Sequence, residues 1–357
     1  MIFRAKPGAA HPKKTMMAIF RGNIVCLNLI QFFSFSKRFR SYQFTVMSAS
    51  NNRDCISQDF DRVAGQAYDL SRNCLCHFAG GIHHLIGYIR DHGLNLDQPN
   101  ENGATSVFMA AQNGHTNCMI LLKEAGADVN RATQTGASPV YVAAQNGHVD
   151  CIRALKEMGS SVNAAALGGV TPLLIASQNG HCDCIQALLE GGADANRAMR
   201  GGVTPIYMAA QNGHAPCVRV LADGGALPNQ LTDDGLTAAY IAAALGHSVC
   251  VAALKEAGAD VDRPAPDGAT PAFVAAQGGH AACILALWAA GADVDRHNRD
   301  GVTPLYIAAA AGRAAAVRAL IRAGADAARC WDGTTPAEAA RILGHAECLR
   351  ALEPCPP

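Results

Sequence analysis

The sequence predicts an all-α repeat solenoid. Three observations carry that reading. Gly103, Gly136, Gly169, Gly202, Gly235, Gly268 and Gly301 form a ladder with a step of 33 residues. The hexapeptide Ala110-Ala111-Gln112-Asn113-Gly114-His115 returns at Ala143–His148 and Ala209–His214. The phrase Gly126-Ala127-Asp128-Val129-Asn130 returns at Gly258–Asp262 and Gly291–Asp295, with Asp closing both later copies. A fixed period of this length marks a chain built from stacked supersecondary units.

Each unit reads as helix, turn, helix, finger. Thr171, Thr204, Thr270 and Thr303 stand where a hydroxyl caps a helix start. Pro172, Pro205, Pro271 and Pro304 follow them, in the first turn, where a missing N–H costs nothing. Paired alanines then let neighbouring first helices approach closely. Gly114 and its counterparts end that helix, because glycine adopts positive φ cheaply. Cys118, Met119, Leu121 and Leu122 fall at helical spacing and predict a second helix from about Asn117 to Ala125. Gly126 stops it, and Asp128 to Gly136 turn outward as a hairpin finger.

Thr-Pro-x-x-x-Ala-Ala-x-x-Gly-His followed by Gly-Ala-Asp-Val-Asn resembles the ankyrin repeat, whose period is also 33. The resemblance runs through about eight units over residues 101–353. It implies units of helix-turn-helix plus a β-hairpin finger. Residues 64–100 hold a degenerate unit in register, with Gly81, Leu85, Ile89, Gly93 and Asp97, expected as an N-terminal cap. The family's usual His after Thr-Pro-Leu is lost; Phe108, Tyr141, Leu174, Tyr207, Tyr240, Phe273 and Tyr306 stand there instead. An aromatic can pack in the same place. The seventh unit has Gly312-Arg313 for Gly-His. The eighth is one residue shorter, carries Glu338 in the lost His slot, and reads as the solvated C-terminal cap that a solenoid needs.

The charge is unevenly spread. Formal net charge is zero, with 29 basic and 29 acidic residues, which argues against a wholesale nucleic-acid binder. Residues 1–46 hold no Asp or Glu and eight of the 29 bases, leaving 21 bases against 29 acids for the rest. The zero is therefore a +8 leader cancelling a −8 array. Its apolar stretch, Asn23 to Phe35, is 13 residues, too short for a bilayer span of about 20. Three readings stay open: a mitochondrial-type transit peptide, a signal peptide lacking an A-x-A site, or translation starting at Met47. Residues 47–63 read as linker and 354–357 as tail. The expected location is cytoplasmic, with an organelle as the alternative if the leader targets the chain.

Of fourteen cysteines, Cys118, Cys151, Cys184, Cys217, Cys250, Cys283 and Cys348 share one repeat slot. The resemblance implies Val or Ile there, so they read as small buried hydrophobes in a reducing compartment. Helices packed about 8–10 Å apart hold adjacent slot cysteines beyond the roughly 7 Å Cα separation a disulfide allows. Cys74-Leu75-Cys76-His77 with His83 and His84 is the one local group that looks like a metal site, and its spacing matches no zinc pattern. His115, His148, His181, His214, His247, His280 and His345 share a slot and read as turn chemistry. No metal, cofactor or catalytic residue is expected.

Enzyme motifs are absent from the sequence: no GxxxxGK loop, no His-Glu-x-x-His, no Gly-x-Ser-x-Gly elbow. The expected function is a non-enzymatic protein-binding scaffold or adaptor, without nucleic acid or a membrane span, and monomeric. The alternative is an organelle-targeted or membrane-tethered regulator that uses residues 1–63 for location. The resemblance implies that fingers and first helices line the concave binding surface. Two candidate surfaces follow. One is the amide ladder Gln112-Asn113, Gln145-Asn146, Gln178-Asn179 and Gln211-Asn212. The other is the finger arginines Arg131, Arg197, Arg200, Arg263, Arg296, Arg299 and Arg329, suited to carboxylates through their bidentate fork. Asp233, Asp234, Asp267, Asp300 and Asp332 interleave with them and are candidates to pair with them. The resemblance also implies that Asn130, Asn163, Asn196 and Asn229 are candidates for asparagine hydroxylation.

Overall fold

A computed structural model describes residues 95–353. The leader, linker, tail, most of the degenerate cap, and the Cys74–His84 group lie outside the described residues.

Among the described residues sixteen α-helices follow in pairs. They are α1 (Ser106–Gln112), α2 (Thr116–Glu124), α3 (Pro139–Asn146), α4 (Val149–Glu157), α5 (Pro172–Asn179), α6 (Cys182–Glu190), α7 (Pro205–Gln211) and α8 (Ala215–Asp223). Then come α9 (Ala238–Ala244), α10 (Ser248–Glu256), α11 (Pro271–Gly278), α12 (Ala281–Ala289), α13 (Pro304–Ala310), α14 (Ala314–Arg322), α15 (Pro336–Leu343) and α16 (Ala346–Leu352). Odd-numbered helices stack on odd and even on even. The result is a two-layer solenoid in which each pair touches mainly its neighbours.

Short helices of seven to nine residues are marginal alone, so their ends and faces must be fixed. At all eight odd helices a hydroxyl accepts the N3 amide: Thr105, Ser138, Thr171, Thr204, Thr237, Thr270, Thr303 and Thr335. Proline occupies the first position in six of them. The last cap is a full capping box: the Thr335 amide donates to Glu338 Oε2 at 2.8 Å while Thr335 Oγ1 accepts from the Glu338 amide at 3.2 Å. The Thr335 amide and the Thr335 hydroxyl, which donates to Glu338 Oε2 at 2.9 Å, hold the Glu338 carboxyl below the usual range. Thr270 is fully buried and accepts from the Phe273 amide at 3.2 Å. Thr270→Ala is expected to cost about 1–2 kcal/mol in urea denaturation, and Thr270→Ser much less, because the serine keeps the acceptor.

Odd helices from α3 to α13 are buried almost all round, while the last, α15, buries only Pro336, Ala339 and Ala340. α13 buries every residue from Pro304 to Ala310. Even helices bury one stripe; α8 buries Ala215, Cys217, Val218 and Leu221. Of the aromatics that replace the family's histidine, Phe108, Tyr207, Phe273 and Tyr306 are buried, and Tyr141 and Tyr240 are half-buried. The slot cysteines Cys151, Cys184, Cys217, Cys250, Cys283 and Cys348 are buried as well, and Cys118 is half-buried.

The fingers depart from the expected β-hairpin form. No strand occurs among the described residues; one isolated bridge joins Trp331 and Thr334. Each finger closes as a tight turn, as where the Thr133 amide donates to the Ala137 carbonyl at 2.9 Å and the Gly136 amide to the Thr133 carbonyl at 2.9 Å. Adjacent fingers share a single backbone bond: the Leu167 amide to Thr135, Arg200 to Gly168, Asp233 to Gly201, and Arg299 to Asp267. One bond per junction is too few to build a ladder. Pro266, in the same register, has no amide to give. At the last finger the Trp331 indole N–H bonds the Asp300 carbonyl at 2.8 Å instead.

Candidate partner-binding surface

Two sets of polar side chains fix each unit to the next. The first is the histidine set. His148 Nε2 donates to the Gln112 carbonyl, His181 to Gln145, His214 to Gln178, His247 to Gln211, His280 to Ala244 and His345 to Ala310, each at 3.1 Å. The ring also covers the preceding unit's turn glycine; a Cβ on Gly180 would stand 2.7 Å from His214 Cε1. Arg313 keeps the bond without the ring, its Nε donating to the Gln277 carbonyl at 3.2 Å. These histidines therefore act between units, beyond the local turn role read from the sequence.

The second set is the finger asparagines. Asn163 Oδ1 accepts the Asp194 amide at 2.9 Å, and Asn163 Nδ2 donates to the Gly192 carbonyl at 3.0 Å. Asn196 repeats both bonds with Leu227 and Gly225, and Asn229 with Asp260 and Gly258. Both groups lie at the end of the next unit's second helix. The 33-residue recurrence of these asparagines was visible in the sequence, but their partners, 29 and 31 residues onward, were not.

Both candidate surfaces can now be placed. In the amide ladder the asparagines are engaged internally. Asn146 Nδ2 donates to the Gln112 carbonyl at 2.9 Å and Asn179 Nδ2 to Gln145 at 2.8 Å; Asn113 and Asn212 bond back to Met109 and Met208. The side-chain amides of Gln112, Gln145, Gln178 and Gln211 make no hydrogen bond among the described residues. Gln112 and Gln145 are exposed, and Gln178 and Gln211 are half-buried. Half of the ladder is thus committed to the fold.

The finger arginines divide into two groups. Arg197, Arg296 and Arg329 each donate Nη1 to a carbonyl of the preceding finger: Asn163 at 2.9 Å, Asp262 at 3.3 Å and Asp295 at 3.1 Å. That contact fixes the guanidinium and leaves other N–H groups on its fork. The guanidinium groups of Arg131, Arg200, Arg263 and Arg299 make no hydrogen bond or ion pair among the described residues. Of the seven, Arg296 alone pairs with an acid there, Asp262 Oδ2 at 3.4 Å. The interleaved Asp233, Asp234, Asp267, Asp300 and Asp332 pair with none of the seven within the described residues. Leu167, 70% exposed, stands at a fingertip between Gln134 and Arg200. No described group of His, Cys, Asp and Glu is arranged to hold a metal ion.

A family model described as ankyrin repeats (3 copies) matches residues 74–166, 166–232, 224–298 and 273–354. The chain belongs to the ankyrin-repeat family. Comparison with curated proteins finds no match. Ankyrin repeats are generally protein–protein interaction modules, and proteins built from them are typically non-enzymatic scaffolds. No described helix is long and apolar enough to cross a membrane.

Three later positions of this ankyrin slot carry no asparagine: Asp262, Asp295, which keeps the acceptor half by taking the Asp326 amide at 3.0 Å, and Ala328. Asp262 takes the asparagine slot, and its Oδ1 is buried without a hydrogen-bond partner among the described residues. Burial pushes its carboxyl up from the ordinary 3.8, opposed by the hydrogen bond and charge of Arg296. Asp262→Asn is expected to stabilise the array by about 1 kcal/mol at neutral pH, since an amide can supply both clamp bonds and the part-exposed ion pair it removes is worth only about 0–1 kcal/mol. The pH dependence has a definite sign. A raised folded pKa means the protonated form is preferred in the fold, so that contribution is present at low pH and lost as pH rises through the raised value. The advantage of the amide, read in urea melts, should be largest above that value and shrink as pH falls towards 3.8.

Proposed function

We propose that this ankyrin array is a non-enzymatic scaffold or adaptor that binds acidic segments of partner proteins along its fingers. The observation that carries this reading is the arginine set: seven guanidinium groups spread over five fingers, with one ion pair among them in the described residues. An array that leaves such cations unneutralised suits partners bearing Asp and Glu, because charge-assisted and bidentate contacts to carboxylates are the strong ones. A cytoplasmic setting goes with this reading, because the repeated cysteine slot is filled by buried side chains that pack as small hydrophobes. Against catalysis stand the structural roles of the capping hydroxyls, the slot histidines and the finger amides, which already have partners in the fold.

The test is co-purification on the immobilised full chain, with elution by rising salt. Exposed charge pairs are screened over about 10 Å at 0.1 M ionic strength. Retained proteins are expected to be rich in Asp and Glu and to leave as salt rises. Proteins held unchanged at high salt, or basic proteins only, would contradict the reading.

A further inference from the structure

Cys182 lies outside the cysteine slot. It is the first residue of α6, in the register of Thr116, Val149, Ala215 and Ser248. A side chain in that register meets the slot residue of the next unit, as where Thr116 Oγ1 lies 3.3 Å from Cys151 Sγ. At the junction of α6 with α8, cysteine stands at both positions: Cys182 takes the place of Thr116 and Cys217 that of Cys151, and the Cys182 thiol, which donates to the Gly180 carbonyl at 3.8 Å, neighbours that of Cys217. The two helices pack side by side in adjacent units. Cys182 is half-buried and Cys217 fully buried. The other thiol near Cys182 in sequence, Cys184, is two residues along the same helix, and such neighbours do not face each other.

We infer that Cys182 and Cys217 form a reversible disulfide that fastens the third helix pair to the fourth. The oxidant is a low-molecular-weight disulfide. The partly exposed Cys182 sulfur, as thiolate, attacks one sulfur of that disulfide, forming a mixed disulfide and releasing one small thiol. The Cys217 sulfur then gives up its proton and attacks the Cys182 sulfur, releasing the second small thiol. Two protein thiols are oxidised, one small disulfide is reduced, and both protons leave on the released thiols. Burial raises the Cys217 thiol, so exchange begins at Cys182 and the closing step is the slower one. The cross-link closes a loop through one whole repeat and restrains the unfolded chain accordingly.

The inference does not rest on the partner reading and is tested without a partner. The full chain is equilibrated with oxidised glutathione, its remaining thiols are alkylated, and it is digested without reduction. The expected product is one cross-linked pair of peptides carrying Cys182 and Cys217, with a thermal midpoint several degrees higher that returns on reduction. Cys182→Ser should keep the contact yet lose both the cross-link and the shift, and Cys217→Val serves as the second variant if the first does not fold. A fully alkylated Cys182, a stable mixed disulfide at Cys182 without the cross-link, or a cross-link that survives Cys182→Ser would overturn the inference.

Discussion

Gly180→Ala is expected to lower the unfolding free energy by about 2–4 kcal/mol, a large share of the margin on which folded chains exist. Two costs add. Gly180 has φ +76°, a left-handed conformation that costs a residue bearing Cβ roughly 1–2 kcal/mol. The new methyl carbon would also stand 2.7 Å from both Cε1 and Nδ1 of His214. The ring must move, which forfeits its 3.1 Å bond to the Gln178 carbonyl, worth about 1 kcal/mol. Gly192→Ala separates the two terms, because Gly192 has φ +84° and nothing within 4 Å of a built Cβ. Its loss should be the conformational part alone, about 1–2 kcal/mol. Urea denaturation of both variants, and of Gly180→Ala with His214→Ala, reads the difference. The double variant should lose less than the sum of the singles, since both disturb one contact.

That contact shows how far the sequence carries and where it stops. Helix starts and ends were legible because their causes are local: Thr270 caps a helix that begins one residue later, and Pro271 fits its first turn. The recurrence of Gly180 with His181 was legible too, but the ring of His181 serves Gln145, a whole unit earlier. Repetition reveals that a residue has a job, while the partner depends on how units stack. The same gap explains the amide ladder. Asn146 and Asn179 read as surface amides, yet each donates to the preceding unit. The fingers were expected as β-hairpins; they close as turns because one backbone bond joins the two arms of each, as from Thr133 to Ala137, and neighbouring fingers add one more. The pairing of finger charges depended on side-chain reach, which periodicity does not encode. The interleaved aspartates fall beside the arginines in sequence, but Asp262 is the one that meets a finger arginine among the described residues.

The second large effect concerns recognition. Replacing Arg131, Arg200 and Arg299 together by Glu is expected to abolish capture of acidic partners. These three guanidinium groups have no bond to the fold among the described residues, and all three side chains are exposed. Reversal should therefore leave helix content and thermal midpoint close to the parent, because surface substitutions away from structural contacts move stability by about 0.5 kcal/mol or less. Reversal turns three attractions into repulsions, and like charges set against one another cost several kcal/mol across an interface. Arg197, Arg263 and Arg296 form the companion set. Two of them also hold the preceding finger through Asn163 and Asp262, so their reversal should weaken both binding and the array. Arg318→Glu with Arg322→Glu, on the exposed face of α14, is the control for charge alone.

The most direct measurement is the affinity of a co-purified partner for the parent chain, for the Arg131, Arg200 and Arg299 reversal, and for the α14 control. Recognition by the fingers predicts that the finger reversal binds at least about a hundredfold more weakly, or not at all, while the control binds like the parent. Equal affinity for the parent and the finger reversal would contradict it.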